Sequence, residues 1–340
     1  MGASLPGAVT DRRHYARWTT SSRSERIAGF AQAGKWPGIE RGHFTSAGAD
    51  EPGRQFRGRA NTLIDQLRAR RDGIKGLGYL GMDFSEEQLE RYARQIILPE
   101  VGGIGQERLC RARVLVVGAG GLGSPLLLYL ASAGVGTLGV VDPDVVDLSN
   151  LQRQVIHDGR GLGRPKVESA AARIAAINPD VRVECHQTKL TDVNAVDLVA
   201  GYDVIADGTD NFAARYLIND ACFVARRTLV SAAILRFDGQ LSTFKPYLGG
   251  GHPCYRCLFP EPPPPGSVPT CAAGGVFGAL AGAIGSLQAM EVLKEILGIG
   301  DSLSGRLLLF EGLTARFRAI RFTPDPECCL CGDRSHTSEL

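Results

Sequence analysis

The chain has 340 residues, 44% of them apolar and 22% charged, with a formal net charge of +2. That length holds one large domain or two modest ones with an ample core. The balanced charge points to no class of partner, and no apolar run is long enough for a transmembrane helix or a signal-peptide core, which excludes a membrane-spanning reading.

The charge is unevenly distributed. Residues 1–81 carry 14 Lys and Arg against 7 Asp and Glu, leaving the remainder of the chain acidic by 5. This leading segment has no cysteine and little apolar periodicity, and it is rich in Arg, Gly and Ser. It reads as a disordered or dispensable basic extension ahead of one domain over 82–340. A nucleic-acid-binding arm is the alternative to a solvated tail, and its seven acidic residues argue against a transit peptide. Nine cysteines without a secretory signal suggest a reducing, cytoplasmic setting, and metal binding or catalysis before disulfides.

In chain order, residues 62–71 have the composition of a short helix, broken by the glycines of 73–81. Ser85 and Gln88 form a capping box for a helix to about Ile97, with Leu89, Tyr92, Ile96 and Ile97 on one face. Gly102, Gly103 and Gly105 read as a loop, followed by a short helix to about Cys110. Val114–Val117 is a fully buried strand. After it Gly118, Gly120 and Gly123 fall at the G-x-G-x-x-G spacing that turns a strand into a helix. The first permits the tight turn, the second lets backbone approach a phosphate, and the third packs helix on strand. The helix beginning at Ser124 aims free N–H groups at an anion. A second strand, Leu138–Val141, ends in Asp142, placed to accept from ribose hydroxyls. Taken alone, this half favours NAD or FAD over ATP.

Pro143–His157 is a polar loop carrying Asn150, Arg153 and Gln154. Further elements follow: a helix over Lys166–Ile177, strands at Val181–Cys185 and Val204–Ala206, a helix over Phe212–Ala225 and a strand at Thr228–Ser231. The alternation predicts a parallel sheet. Gly239–Phe244 then reads as an antiparallel strand, and His252–Thr270, with its proline run, as a surface crossover. Gly274–Leu297 is a helix with small residues on one face, and Leu307–Phe310 and Arg316–Phe322 form an antiparallel edge. The fold class is therefore α/β, a Rossmann-like, mostly parallel sheet with antiparallel C-terminal strands and helices on both faces.

Four side-chain groups bear chemistry. Cys254-x-x-Cys257 and Cys328-x-x-Cys331 match the two knuckles of a closed tetrahedral Zn²⁺ site that would staple the C-terminus; a redox pair or free thiols are the alternatives. Cys329 in place of Cys328 stays open. Arg91, Arg94, Arg153 and Lys166 are cations near the nucleotide half, where no G-x-x-x-x-G-K-[ST] loop exists to hold phosphates; a solvated or packed role is the bland reading of each. Asp207 or Asp210, at a strand end, suits Mg²⁺ on a triphosphate, and an N-cap role is equally open for Asp210, with Asn211 competing for it. Cys271 precedes a glycine-rich helix start, where a thiol pKa is lowered, against the plainer reading of an inert cysteine. Cys110, Cys185 and Cys222 read as small core residues, and His157 and His252 as loop histidines.

Seven stretches in one register then resemble a known family: Arg91–Gly102, Val116–Pro125, Asp142–Gln154, Gly163–Val167, D-G-T-D-N at Asp207–Asn211, C-Y-R-C at Cys254–Cys257, and C-x-x-C-G from Cys328. Together they are similar to the ThiF/MoeB/HesA adenylyltransferases, most of all to the molybdopterin-synthase type. The resemblance implies a homodimer that binds ATP·Mg²⁺ and the Gly-Gly tail of a ubiquitin-like sulfur carrier protein, whose tail carboxylate attacks the α-phosphate. It assigns ribose to Asp142, phosphates to Asn150, Arg153 and Lys166, Mg²⁺ to Asp210, and to Arg94 a reach into the partner's ATP site. Gly118, Gly120, Gly121, Gly123, Gln154 and Asn211 complete the nucleotide site, and Cys271 falls on a mobile-loop cysteine. After it the chain reads Ala272-Ala273-Gly274, without the family's usual glutamate, which puts that role in question. With no rhodanese domain after the last knuckle, a separate sulfur donor is implied. An NAD(P)-dependent oxidoreductase and a non-enzymatic, zinc-stabilised scaffold for a ubiquitin-like protein are the rivals.

Overall fold

A computed structural model describes residues 84–264 and 274–332. The stretch 62–71, the whole 1–81 extension and Cys271 lie outside the described residues, as does the crossover from 265 to 273.

Two helices lead in. Helix α1, Glu86–Ile96, starts at the predicted capping box, with both Ser85–Gln88 bonds present. It buries Leu89, Tyr92 and Ala93, but Ile97 is half exposed because the helix stops at Ile96, beyond the edge of its packed face. Helix α2, Gly102–Arg111, includes the three glycines expected to form a loop. Packing of Leu109, Gln106 and Gly105 overrides their weak helix propensity.

The centre is an eight-stranded sheet in the order β3-β2-β1-β4-β5-β6-β7-β8. Strands β1 (Arg113–Val117), β2 (Thr137–Val141), β3 (Arg182–His186), β4 (Val204–Asp207) and β5 (Thr228–Leu235) pair in parallel. Strands β6 (Asp238–Phe244), β7 (Arg306–Glu311) and β8 (Arg316–Arg321) continue the sheet antiparallel. Between β1 and β4 the winding direction reverses, and ligands in such sheets bind at that crevice, at the strand C-termini.

Alternation along the strands divides the core between the two faces of the sheet. Val114 and Val116 of β1 join Leu126, Leu127 and Leu130 of α3 (Gly123–Ala133), Ile174 of α4 (Lys166–Ile177) and Ile284 of α8 (Gly278–Leu297). Leu115 and Val117 face the other way, onto Val199 of α5 (Ala195–Ala200), Ile218 of α6 (Phe212–Val224) and Tyr255 of α7 (Tyr255–Leu258). Helix α5 is one element with no sequence expectation: at six residues it is too short to show periodicity. Strand β5 runs past its expected end at Ser231 to Leu235, because it forms a hairpin with β6. Cys222 is buried as expected, but Cys185 is exposed on the edge strand β3 and Cys110 is only half buried.

Candidate functional site

Gly118 takes φ +97°, a conformation that disfavours any side chain, and a Cβ on Gly123 would lie 1.9 Å from the Gly118 carbonyl oxygen. Both glycines are therefore required by geometry, and Gly123 acts by packing rather than by facing ligand. The loop they form opens onto a cavity of about 610 Å³ at the strand ends of β1, β2 and β4. Gly118, Gly120, Gly121, Asp142, Arg153, Gln154, Lys166, Asp210 and Asn211 line it, so most of the residues singled out in the sequence converge there.

Asp142 is 5% exposed; its Oδ2 accepts from Ala119 N–H at 2.8 Å and its Oδ1 from Asp144 N–H at 2.9 Å. Each oxygen keeps a lone pair for a further donor. Lys166 starts α4, with its side chain 7% exposed, and its Nζ pairs with Asp144 Oδ2 at 2.9 Å. Arg153 donates to the Ser149 carbonyl at 3.0 Å along the cavity wall. Gln154 is buried beside them, and its Oε1 has no hydrogen-bond partner. Buried cations, carboxylate acceptors and an open glycine loop fit a nucleotide with its phosphates.

The two candidate carboxylates separate clearly. Asp207 is fully buried; its Oδ1 accepts from the Thr209 N–H and hydroxyl at 2.9 and 2.7 Å, and its Oδ2 from Ser231 Oγ at 2.7 Å. It is a structural knot. Asp210 is exposed at the cavity and makes no hydrogen bond among the described residues, so it alone of the pair is available to a cation. The N-cap of α6 is Asn211, whose Oδ1 accepts from Ala214 N–H at 2.9 Å.

Other expectations diverge. Asn150 does not reach the cavity: its Oδ1 accepts from Asp147 N–H at 3.2 Å, closing the 3₁₀ turn Leu148–Asn150 that leads to Arg153 and Gln154. Arg91 donates to the Ile177 carbonyl at 2.8 Å, at the end of α4. Arg94 is exposed and is not part of the cavity of its own chain. His157 lies in a loop, as expected, but it is buried. It is 6% exposed, with Nε2 2.9 Å from the Ala119 carbonyl oxygen and Nδ1 2.9 Å from Ser169 Oγ. Burial holds its pKa below the ordinary value, so the imidazole is neutral. His252 bonds Ser304 at 2.9 Å.

Two features had no sequence signal. The segment Thr188–Asp192 after β3 closes one wall of the cavity, and Arg215, 7% exposed on α6, opens onto it. Neither lies in a motif with regular spacing; Arg215 shows only as one arginine on a mostly apolar helix face that also carries Asn219.

The cysteine knuckles do converge. The Sγ atoms of Cys254, Cys257, Cys328 and Cys331 all lie within 4.8 Å of one another. The closest pairs are 3.4, 3.5 and 3.8 Å apart. A tetrahedral metal with ~2.3 Å sulfur bonds needs edges of about 3.8 Å, and a disulfide would need ~2.05 Å. The donor set thus fits one sulfur-ligated metal ion. Cys329 is exposed and outside the cluster, which settles its competition with Cys328. Among the described residues no helix is long and apolar enough to cross a membrane.

Residues 92–331 match the family model described as the ThiF family. The chain is 52% identical over 261 residues to the sulfur carrier protein adenylyltransferase of Thermus thermophilus, covering 76% of this chain and 96% of that one. It is 50% identical to the SAMP-activating enzyme E1 of Haloferax volcanii, over 72% of this chain and 90% of that one. It is 54% identical to the bovine adenylyltransferase and sulfurtransferase MOCS3, over 75% of this chain but 56% of that longer one. Among solved structures, Escherichia coli MccB with ATP shares the fold, with a TM-score of 0.63 at 21% identity over 72% of this chain and 75% of that one.

Proposed function

The chain belongs to the ThiF family, and from that premise we propose that it is an ATP-dependent adenylyltransferase of a ubiquitin-like sulfur carrier protein. The observation that carries this reading is the cavity itself. A glycine loop, the buried Lys166, Arg153 and the open carboxylate of Asp210 share its wall, in a chain half identical to an adenylyltransferase.

The nucleophile is the C-terminal carboxylate of the carrier's Gly-Gly tail, already ionised at neutral pH, so no general base is required. One carboxylate oxygen bonds to the α-phosphorus, and pyrophosphate leaves with the electron pair of the broken bond. The product is an acyl-adenylate. The chain's task is to place the two anions together and neutralise the phosphates. Loop amides at Gly120 and Gly121 face the phosphates, Lys166 exchanges Asp144 for a phosphate oxygen, and Arg153 lies alongside. Asp142 holds the ribose. Mg²⁺ at Asp210 would supply charge neutralisation across the phosphates. Arg94, exposed beside the half-exposed Ile97 and Leu98, reaches into the site of a second copy in a homodimer. The four cysteines would hold a structural Zn²⁺, which would tie the C-terminal segment to the loop of the first knuckle. Sulfur for the adenylate comes from a separate donor protein, within a molybdopterin- or thiamine-type pathway.

Pyrophosphate exchange tests the reading. Labelled pyrophosphate is expected to enter ATP only when Mg²⁺ and a Gly-Gly-ended sulfur carrier are both present. Carrier binding without exchange would make the protein a scaffold. A rise in melting temperature with NAD(P)H rather than ATP·Mg²⁺ would make it an oxidoreductase.

A further inference from the structure

Asp207 carries a buried charge that no cation offsets. Its carboxylate lies fully buried at the end of β4, and three groups donate to it: the Thr209 N–H at 2.9 Å and the Thr209 and Ser231 hydroxyls, each at 2.7 Å. All three are neutral and all donate, which is the pattern of an ionised carboxylate. Among the described residues no Lys, Arg or His nitrogen lies within 4.0 Å of its oxygens. Arg215, the next cation along the chain, donates instead to the Thr209 carbonyl at 3.0 Å. Burial and, after it, the Asp207 charge push the Cys222 thiol well above its ordinary value, so this charge is felt through the interior. A buried anion without a counter-ion is costly until something positive relieves it.

The backbone fixes where that charge stands. Gln288 of α8, fully buried, donates from Nε2 to the Asp207 carbonyl at 2.8 Å and to the Val230 carbonyl at 3.0 Å, which ties the ends of β4 and β5 together. The Gly208 N–H donates to the Val117 carbonyl at 2.9 Å and ties the same turn to β1. From there Gly208, Thr209, Asp210 and Asn211 run along the cavity wall. Asp210 is three residues beyond Asp207, so their Cα atoms are at most about 11 Å apart. Discounted for the open water around Asp210, a charge at that range changes the affinity for a divalent cation about tenfold.

We propose that Asp207 is a positioning residue whose fixed, buried charge draws a divalent cation to Asp210 and makes the cavity select metal-bound over bare nucleotide. This rests on the reading of Asp210 as the Mg²⁺ ligand. Asp207 touches neither the cation nor the phosphates. Its field opposes the negative charge of bare ATP, and a divalent cation at Asp210 reverses the sign of that interaction.

The test is a set of Kd values for ATP in excess EDTA and for ATP·Mg²⁺, measured by calorimetry on the full chain and on Asp207→Asn. The asparagine keeps both Thr209 bonds on Oδ1 and donates from Nδ2 to Ser231 Oγ, so the charge goes and the shape stays. The native chain is expected to bind ATP·Mg²⁺ more tightly than bare ATP. Asp207→Asn should shrink that preference about tenfold, binding bare ATP more tightly and ATP·Mg²⁺ more weakly. An unchanged preference overturns the proposal. So does weaker binding of both forms, which is what a loosened loop alone would give. Asp207→Ser removes the same charge and serves where the asparagine variant does not fold. Ser231→Ala removes one hydrogen bond and leaves the charge, and should keep the native preference; a loss as large as in Asp207→Asn would assign the effect to the hydrogen bonds and overturn the proposal. A native chain that binds ATP equally with Mg²⁺ and with EDTA would instead defeat the Mg²⁺ assignment at Asp210, and this one with it.

Discussion

Nε2 of His157 lies 2.9 Å from the carbonyl oxygen of Ala119, so a side chain from the loop beyond β2 grips the phosphate loop from behind. The N–H of the same alanine is held by Asp142, at 2.8 Å. Ala119 is thus held through both of its peptide planes, and the second of them carries the N–H of Gly120, which lines the cavity.

His157→Gln should therefore raise the KM for ATP several-fold with little change in the KM for the carrier. Removing a buried partner costs about 1–3 kcal/mol, and the effect is local to the loop. The pH dependence has a definite sign. Burial, with Lys166 nearby opposing a second positive charge, holds the folded-state pKa below the ordinary 6.5, while the hydrogen bond to the Ala119 carbonyl, Asp142 and Asp158 act the other way. As pH falls the unfolded chain is protonated first. The stability contributed by neutral His157 is complete above 6.5 and is lost as pH falls toward the folded-state pKa. Melting temperatures measured from about pH 7.5 to 5.5 should fall more steeply for the native chain than for His157→Gln. His252, also shifted downward, titrates in both proteins, so the difference between the two curves is the readout.

Cys254→Ser should lose close to one metal ion per chain and much of the protein's stability, because a structural zinc contributes roughly 10 kcal/mol or more of binding energy to the fold. Cys329→Ser should keep both, since that thiol lies outside the cluster. Elemental analysis of the purified variants checks the pair; a native chain without zinc would refute the metal assignment.

Arg94→Ala should abolish pyrophosphate exchange and leave the proposed homodimer intact, since the side chain is exposed and away from its own chain's cavity. Asp210→Ala should also be inactive. Mixed subunits of the two variants form hybrid dimers with one complete site, so part of the activity should return. A mixture as inactive as its components would place Arg94's action within its own chain.

Residues 1–81 precede the stretch matched by the family model, which begins at 92, and carry none of the site residues. The fragment Met82–Leu340 should therefore exchange pyrophosphate and melt like the full chain. An insoluble, monomeric or inactive fragment would assign the basic extension to the working structure.

Local chemistry is what the sequence determined by itself. The G-x-G-x-x-G spacing implies a positive-φ turn and a tight helix–strand contact whatever surrounds it, and the Ser85–Gln88 box and two C-x-x-C knuckles are equally self-contained. The α/β alternation read off the chain became the parallel half of the sheet, and the antiparallel edge followed as expected. Tertiary structure decided everything that depends on who the neighbours are. Residue type and placement at a strand end leave Asp207 and Asp210 alike, the family resemblance alone favours Asp210, and it is packing against Ser231 and Thr209 that consumes one carboxylate and leaves the other open. Asn150 and Arg153 share a loop, yet a 3₁₀ turn closes on one and sends the other to the cavity. Thr188–Asp192 and Arg215 come from separate parts of the chain and line the cavity only once the sheet has wound, with His157 brought behind the glycine loop. The choice of Cys328 over Cys329 rests on a similar ground. Metal ligation needs four sulfurs within bonding reach of one point, and sequence order alone does not specify a distance in space.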